Sequence, residues 1–380
     1  MEENKETVGE ENKETVGTEI NASPKKDAKS GGGFKAFLKK QNITFSAKAY
    51  FIDAMSAMAN GLFASLLIGT ILSTIGTQFG IEFFIEAGNY AKAVAGPAMA
   101  AAIAYSLKGS PLVIFSMIAV GGAANTLGGA GGPLAVFFIA IIATEMGKLV
   151  SKTTKVDILV TPSVTICTGV GLSMLVAPYI GDAASSVGNI IMWATEQQPL
   201  VMGIVVSVVI GIALTLPISS AAICAALGLT GLAGGAAVAG CSAQMVGFAV
   251  MSFRENKVGG LFSQGIGTSM LQMGNIIKNP RIWIPPILAS AITGPLATCV
   301  FGLEMNGAPI SSGMGTCGLV GQIGVYTGWL DEAGHCTAGA MDWIGLVLIS
   351  FVLPGLLTWA FGLLLRKIGW IKEGDLKLEK

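Results

Sequence analysis

Charge is what this chain has least of. Asp, Glu, Lys and Arg make up 12% of 380 residues, against about 25% in an ordinary globular chain. That shortage argues against a water-soluble enzyme, and a formal net charge of +0 leaves no global basic field for nucleic acid. Histidine is nearly absent. The one example, His335, sits in Gly-His-Cys of a polar loop and reads as a surface residue. The six cysteines, Cys167, Cys224, Cys241, Cys299, Cys317 and Cys336, show neither metal-ligand nor CxxC spacing. They read as small buried residues, and no metal or cofactor is expected.

What is abundant is apolar surface and glycine. Hydrophobic residues reach 52%, mean hydropathy is +0.68, and there are 52 glycines. Such glycine content suits helices that approach closely through small residues. The charges gather in the tails and in short loops. The expected fold class is an all-α polytopic membrane protein with about 8–10 transmembrane helices and re-entrant hairpins.

Residues 1–40 read as a disordered tail. EENKETVG occurs at Glu2–Gly9 and again at Glu10–Gly17, and the stretch has too few apolar residues to fold. It lacks the apolar core of a signal peptide. Lys25, Lys26, Lys29, Lys35, Lys39 and Lys40 then crowd the first apolar run, which places the N-terminus in the cytoplasm.

The membrane domain runs over 41–380. Apolar runs extend over Tyr50–Phe79, Ile85–Leu107, Pro111–Leu127, Gly132–Val150, Ile158–Ile180 and Leu200–Ser220. Each can cross about 30 Å of hydrocarbon at about 1.5 Å per residue. Acidic loops around Glu82 and Glu86, and around Asp182 and Glu196, fall outside. Pro217 is expected to kink its helix. Ala221–Met251 reads as a re-entrant hairpin or a pair of short helices, and Val258–Asn279 as an interfacial helix. Arg254, Glu255 and Lys257 read as a turn with local pairing. Spans from Trp283 to Leu303 and from Trp343 to Leu365 follow. Arg366, Lys367 and Lys372 put the C-terminus inside. Trp193, Trp283, Trp329 and Trp343 read as interfacial anchors.

The stretch with the most chemistry is Leu303–Gln322, LEMNGAPISSGMGTCGLVGQ. It carries an acid and an amide, Glu304 and Asn306, followed by a glycine-rich backbone. Irregular backbone at membrane depth is tolerated only where it is buried in protein or lines a cavity, and an acid there marks a functional site. Glu304, Asn306 and Gln322 supply acceptors and donors suited to a hydroxyl-rich neutral substrate. Gln244, Asn275 and Ser219 can complete the set from the other irregular segments. Asp157 reads as a helix cap, and Asp53 as structural or interfacial.

Several strings together resemble a known family: IGTILSTIG, ATEMGKLVSKTTKVDILVTPSVTI, LTLPISSAAI, GCSAQMVGFAVMSFRENKVGGL, GTSMLQMGNIIKNPRIWIPP, GAPISSGMGTCGLVGQ and LRKIGWIKEGDLKLE. The chain resembles, from about residue 40 onward, the enzyme IIC-like membrane proteins of the bacterial phosphotransferase system. The branch is enzyme IIC type 2, which includes perfringolysin O regulatory protein-like members. The resemblance implies a glucose-superfamily enzyme IIC fold, a homodimer in membrane lipid, and a sugar substrate moved across the cytoplasmic membrane by alternating access. It also implies a separate phosphorylated enzyme IIB as phosphoryl donor. The chain departs from the sugar-transporting members in lacking a membrane histidine beside the acid. Two other functions stay open: a membrane sensor or regulator that binds a ligand without transport, and an ion-coupled transporter. Catalytic residues are not assigned.

Overall fold

A computed structural model of the chain describes residues 37–43, 45–331 and 335–378. The tandem repeat therefore lies outside the described residues. Those residues are mainly helical, and their only strand-like pairings are two isolated bridges, Gly231 with Met305 and Leu330 with Cys336. By length and apolarity, six helices among them can cross a membrane.

The N-terminal half is a bundle of α1 (Ala49–Phe79), α2 (Glu82–Ala93), α3 (Ala95–Ser106), α4 (Pro111–Gly128), α5 (Gly132–Val150) and α6 (Asp157–Thr195). Pro111 and Pro133 lie in the first turns of α4 and α5, where a missing N–H costs nothing. Between them Gly129 takes φ +49° and reverses the chain. The 40-residue apolar stretch Pro111–Val150 is thus a hairpin, and Val113 of α4 sits beside Gly147 of α5. Splitting it, and adding the apolar helix Pro199–Thr215, brings the spanning segments to eight.

The C-terminal half is built on α7 (Pro199–Thr215), α9 (Gly231–Met251), α12 (Pro280–Val300) and α14 (Ala340–Lys367). Helix α9 is its axis, with 94% of its most apolar window buried. Contacts along α7 and α9 advance in the same direction: Ser207 meets Gly240, Gly211 meets Gly240 and Gln244, and Thr215 Oγ1 reaches Gln244 Oε1 at 3.3 Å. The two helices therefore run parallel. Helix α12 runs against α7: Thr298 Oγ1 donates to the Pro199 carbonyl at 2.8 Å, and Ser207 Oγ donates to the Ser290 carbonyl at 2.8 Å. A Cβ on Gly240 would strike the Ser207 carbonyl, so glycine there sets the spacing. In hydrocarbon, such close packing and interhelical hydrogen bonds replace the hydrophobic effect as the cohesive force.

Parallel neighbours require the intervening chain to climb back, and residues 216–230 do so as a re-entrant segment. Pro217 ends α7 rather than kinking it. The Ser219 N–H then donates to the Ala130 carbonyl at 2.9 Å, and Ser219 Oγ accepts from the Ala222 N–H at 3.2 Å to start α8 (Ser220–Ala226). A second re-entrant segment, 307–328, descends through short 3-10 turns and returns as α13 (Val320–Gly328). Its turn Gly315, at φ +52°, lies against Cys241 at mid-length of α9.

The remaining chain covers the other end of the bundle. It comprises α10 (Phe253–Phe262), a turn over 263–272, and α11 (Met273–Lys278). Residues 369–378 close over them as a strap held by side-chain amides. Gln272 and Asn256 both donate to the Leu376 carbonyl, at 3.0 and 2.8 Å, and Asn275 donates to the Lys377 carbonyl at 3.0 Å. Ile371 and Leu376 are buried beneath.

Several expectations about boundaries are corrected. Helix α6 continues without a break to Thr195, 39 residues in all. Asp182 is therefore on a helix and not in a loop. The expected span Ile85–Leu107 is broken at Val94 into α2 and α3. Ala221–Met251 is neither a re-entrant hairpin nor a pair of short helices, but the end of one short helix followed by a 21-residue helix. Val258–Asn279 is not a single interfacial helix, because Gln264, Gln272 and Asn275 bond one another and draw it inward. Glu255 pairs with Arg366, 111 positions away, at 2.7 Å, so its pairing is not local. Cys167, Cys299 and Cys336 are exposed. Trp283 donates to Gln244 Oε1 at 2.9 Å, which makes it an internal strut. His335 is a surface residue, with its side chain 81% exposed.

Candidate functional site

Where the two re-entrant segments meet α1 and α2, they enclose a cavity of about 480 Å³. That volume falls within the roughly 300–1,000 Å³ of small-molecule sites. One wall is a stripe on α1: Thr70, Ser73, Thr74, Thr77 and Gln78, joined by Lys92 of α2. Positions 70, 73, 74 and 77 recur at helical spacing, so one face of an otherwise apolar helix is hydroxylated. The opposite wall is Ser219, Ala221 and Ala222 of the first re-entrant segment. Ala308, Ile310, Ser311, Met314, Gly324 and Thr327 of the second complete it.

The hydroxyls divide into two kinds. Thr70 donates to the Leu66 carbonyl at 2.7 Å and Thr77 to the Ser73 carbonyl at 2.8 Å. Their protons are used, and their lone pairs remain as acceptors. Lys92 Nζ donates to Ser73 Oγ at 3.0 Å, which fixes the ammonium in the wall with donors to spare. Thr74 and Ser311 have no hydrogen-bond partner through their hydroxyls among the described residues. The cavity thus offers fixed acceptors, a fixed cation and uncommitted hydroxyls, between apolar side chains. A polyol needs both donors and acceptors, and a polar group left unmatched on binding is costly. Another cavity, about 270 Å³ between α9, α10 and α14, is walled mainly by Val250, Met251, Phe253, Leu261 and Trp359 and offers a polyol little.

The residues singled out from sequence are dispersed. Ser219 lines the cavity. Glu304 and Asn306 are brought together beside it: Asn306 Nδ2 donates to Glu304 Oε2 at 2.8 Å, and Asn306 Oδ1 accepts from the Gly231 N–H at 3.1 Å. Both are exposed, and Ala308, two residues on, is already in the lining. Gln322 is buried elsewhere, donating to Ser350 Oγ at 3.0 Å and Ser242 Oγ at 3.3 Å. Gln244 holds Trp283 and Thr215. Asn275 holds Gln272 and the C-terminal strap.

The wall of α1 does not stand out in the sequence, because Ser and Thr in an apolar helix also serve close packing. Two signals are nevertheless present: the period of 70, 73, 74 and 77, and a lone Lys92 inside an apolar run.

Comparison with protein families gives one match, described as phosphotransferase system, EIIC, over residues 52–378. The chain belongs to this family. The EIIC assignment accounts for an all-α, multi-pass membrane fold and supports a role in sugar transport by the phosphotransferase system. The match begins within α1 and ends in the strap, so the cavity lies wholly inside it. Neither the curated proteins nor the solved structures gave a match. Among the described residues, no group of three or more His, Cys, Asp or Glu is placed to hold a metal ion.

Proposed function

We propose that this EIIC protein is a sugar permease that binds its substrate in the cavity between α1 and the two re-entrant segments. The observation that carries the reading is the hydroxylated stripe of α1 facing the second re-entrant segment, 308–327, across one cavity. A neutral polyol would accept from Lys92, exchange hydrogen bonds with Thr74 and Ser311, and donate to Thr70, Ser219 and Thr77. The Glu304–Asn306 pair, exposed beside the lining, would take the sugar's hydroxyls on entry.

The two walls belong to different halves of the chain. Rocking one half against the other would open the cavity to each side in turn, as alternating access requires. Lysines at 108, 148, 152 and 155, with Arg366, Lys367 and Lys372, favour cytoplasmic termini. On that orientation a separate phosphorylated enzyme IIB would meet the strap-bearing face. The exposed Phe115, Ile118 and Leu175 suit lipid or a second copy in a homodimer. Motif strings such as GAPISSGMGTCGLVGQ support placement in the perfringolysin O regulatory protein-like branch.

The test is equilibrium binding of a radiolabelled sugar panel to the protein in nanodiscs, wild type against Thr74→Val. A sugar that binds the wild type and binds the variant several-fold more weakly supports the reading. Equal binding by both would move the site elsewhere.

A further inference from the structure

Helix α1 faces three cavities in succession. Thr70, Ser73, Thr74 and Thr77 line the cavity of about 480 Å³ described above. Leu62, Leu66 and Leu67, at mid-length of the helix, line a void of about 50 Å³. Ser56 and Asn60 line a cavity of about 500 Å³ beside the C-terminal strap. Positions 56, 60, 63, 67, 70, 74 and 77 advance by alternate steps of four and three, so they form one stripe along the helix. The cavities are therefore stacked along one face of α1, largely against the C-terminal half.

Two partitions separate them. The void shares Leu66, Ser219, Ala221 and Met314 with the first cavity, so these residues stand between the two. Leu62, Leu67, Leu214, Met270 and Met314 around the void are all buried, and an apolar constriction of this kind excludes water and polar solutes. The second partition is the turn over 263–272. Its Thr268 and Met270 face the void, whereas its Ser263 and Leu271 face the strap-side cavity. Phe63 of α1 closes on that turn. A Cβ built on Gly267 would lie 2.3 Å from Phe63 Cε2, so glycine there is what admits the ring. Phe63 also opens a π-helical turn, Phe63–Leu67, and such turns inside α-helices are frequent at functional sites. From Asn60 to Leu66 the barrier is about 9 Å thick at ~1.5 Å per residue.

The turn is not an independent plug. Thr316 Oγ1, in the second re-entrant segment, donates to the Gly265 carbonyl. The segment that carries Ser311 and Met314 at the first cavity is thus bonded to the turn that closes off the second.

We propose that the substrate passes from the first cavity to the strap-bearing face along α1. Leu66, Met314 and the Phe63–Gly267 contact are the gate on that route, and the cavity beside Asn60 is its mouth. The gate lies between the two halves of the chain, where relative movement of the halves opens a passage, and the Thr316 bond makes the turn follow the second re-entrant segment. The route rests on the permease reading above; the order of the three cavities does not.

Thiol accessibility in sealed vesicles of each orientation tests the route without a substrate. Asn60→Cys, Leu66→Cys and Thr74→Cys are each treated with a membrane-impermeant maleimide. Modified sites are mapped by peptide mass, which separates them from the exposed Cys167, Cys299 and Cys336. Asn60→Cys should react about tenfold or more faster from the strap-bearing face, Thr74→Cys about tenfold or more faster from the other, and Leu66→Cys more slowly than either. A functional arm joins Phe63→Cys to Gly267→Cys with a short, reducible thiol cross-linker in proteoliposomes. Cross-linking should lower uptake of a transported radiolabelled sugar by about tenfold or more, reversibly on reduction, and leave its equilibrium binding unchanged. If the double variant does not fold, the labelling decides alone. The proposal is overturned if Asn60→Cys and Thr74→Cys both react faster from the same face, if Leu66→Cys reacts as fast as they do, or if the cross-linked protein takes up sugar like the reduced one. A wild type that takes up no sugar would count against the permease reading instead, and the labelling pattern would still decide the route.

Discussion

Ser220 Oγ donates to the carbonyl of Gly313 at 2.7 Å. This single bond joins the two re-entrant segments across 93 residues of sequence, and Ser219 and Ser311, on either side of it, both face the cavity. Irregular backbone inside a membrane protein must find its partners within the protein, and here one re-entrant segment supplies a partner for the other. Ser220→Ala leaves a buried carbonyl unpaired and should cost about 1–3 kcal/mol. A lowered melting temperature, together with weaker sugar binding, is the expected result. A variant with wild-type stability would show that the segments are held by other contacts.

Gly240 tests the close approach of α7 and α9. Alanine there would drive a methyl into the Ser207 carbonyl, and neither helix backbone can yield without moving the other. Gly240→Ala should therefore be severely destabilising, beyond the ~1–3 kcal/mol typical of overpacking, and should reduce recovery of folded protein from membranes. Gly171, which has open space around a Cβ, is the control, and Gly171→Ala should be tolerated.

Much of the fold is legible in the amino-acid sequence. Apolar runs, lysine placement and glycine content mark a multi-pass helical protein, because length and polarity alone decide what can cross hydrocarbon. The second re-entrant segment shows in the glycines after Asn306, whereas the first, expected over Ala221–Met251, instead occupies 216–230, because Pro217 ends α7 and Gly231–Met251 is one continuous helix. The site is less legible. Gln244, Gln322 and Asn275 resemble ligand groups because buried amides are rare, yet Gln244 and Asn275 are held by the protein's own side chains and strap, and Gln322 gives its N–H groups to Ser242 and Ser350 while its Oε1 is buried without a partner among the described residues. A sequence shows that an amide is buried but not who its partner is. Asp182 signals a loop and an end to α6 near Ile180, whereas the chain stays helical with Asp182 on its exposed side.

Gln244 separates a structural role from a ligand role. Gln244→Leu removes the acceptor of the Trp283 indole N–H and should cost about 1–3 kcal/mol of stability. Sugar affinity, measured in the surviving folded fraction, should be unchanged. A loss of affinity larger than the loss of stability would return Gln244 to the substrate site.

Lys92 tests the cationic corner of the cavity. Lys92→Met keeps the apolar stem and removes the donor to Ser73. Binding of a neutral sugar should weaken by about 10- to 100-fold, the loss of roughly one hydrogen bond to a charged group. Unaltered binding would confine Lys92 to holding α1 against α2.

The most direct test of the transport reading is uptake of radiolabelled sugars into proteoliposomes, with and without phosphorylated enzyme IIB proteins. Wild type would be compared with the double variant Thr74→Val, Ser311→Ala, which removes the two cavity hydroxyls that have no partner among the described residues. The account predicts uptake of at least one sugar by the wild type. In the double variant the half-saturating concentration should rise by about tenfold or more while the protein stays folded. Uptake with identical concentration dependence in both proteins would contradict it and remove this cavity from the transport path.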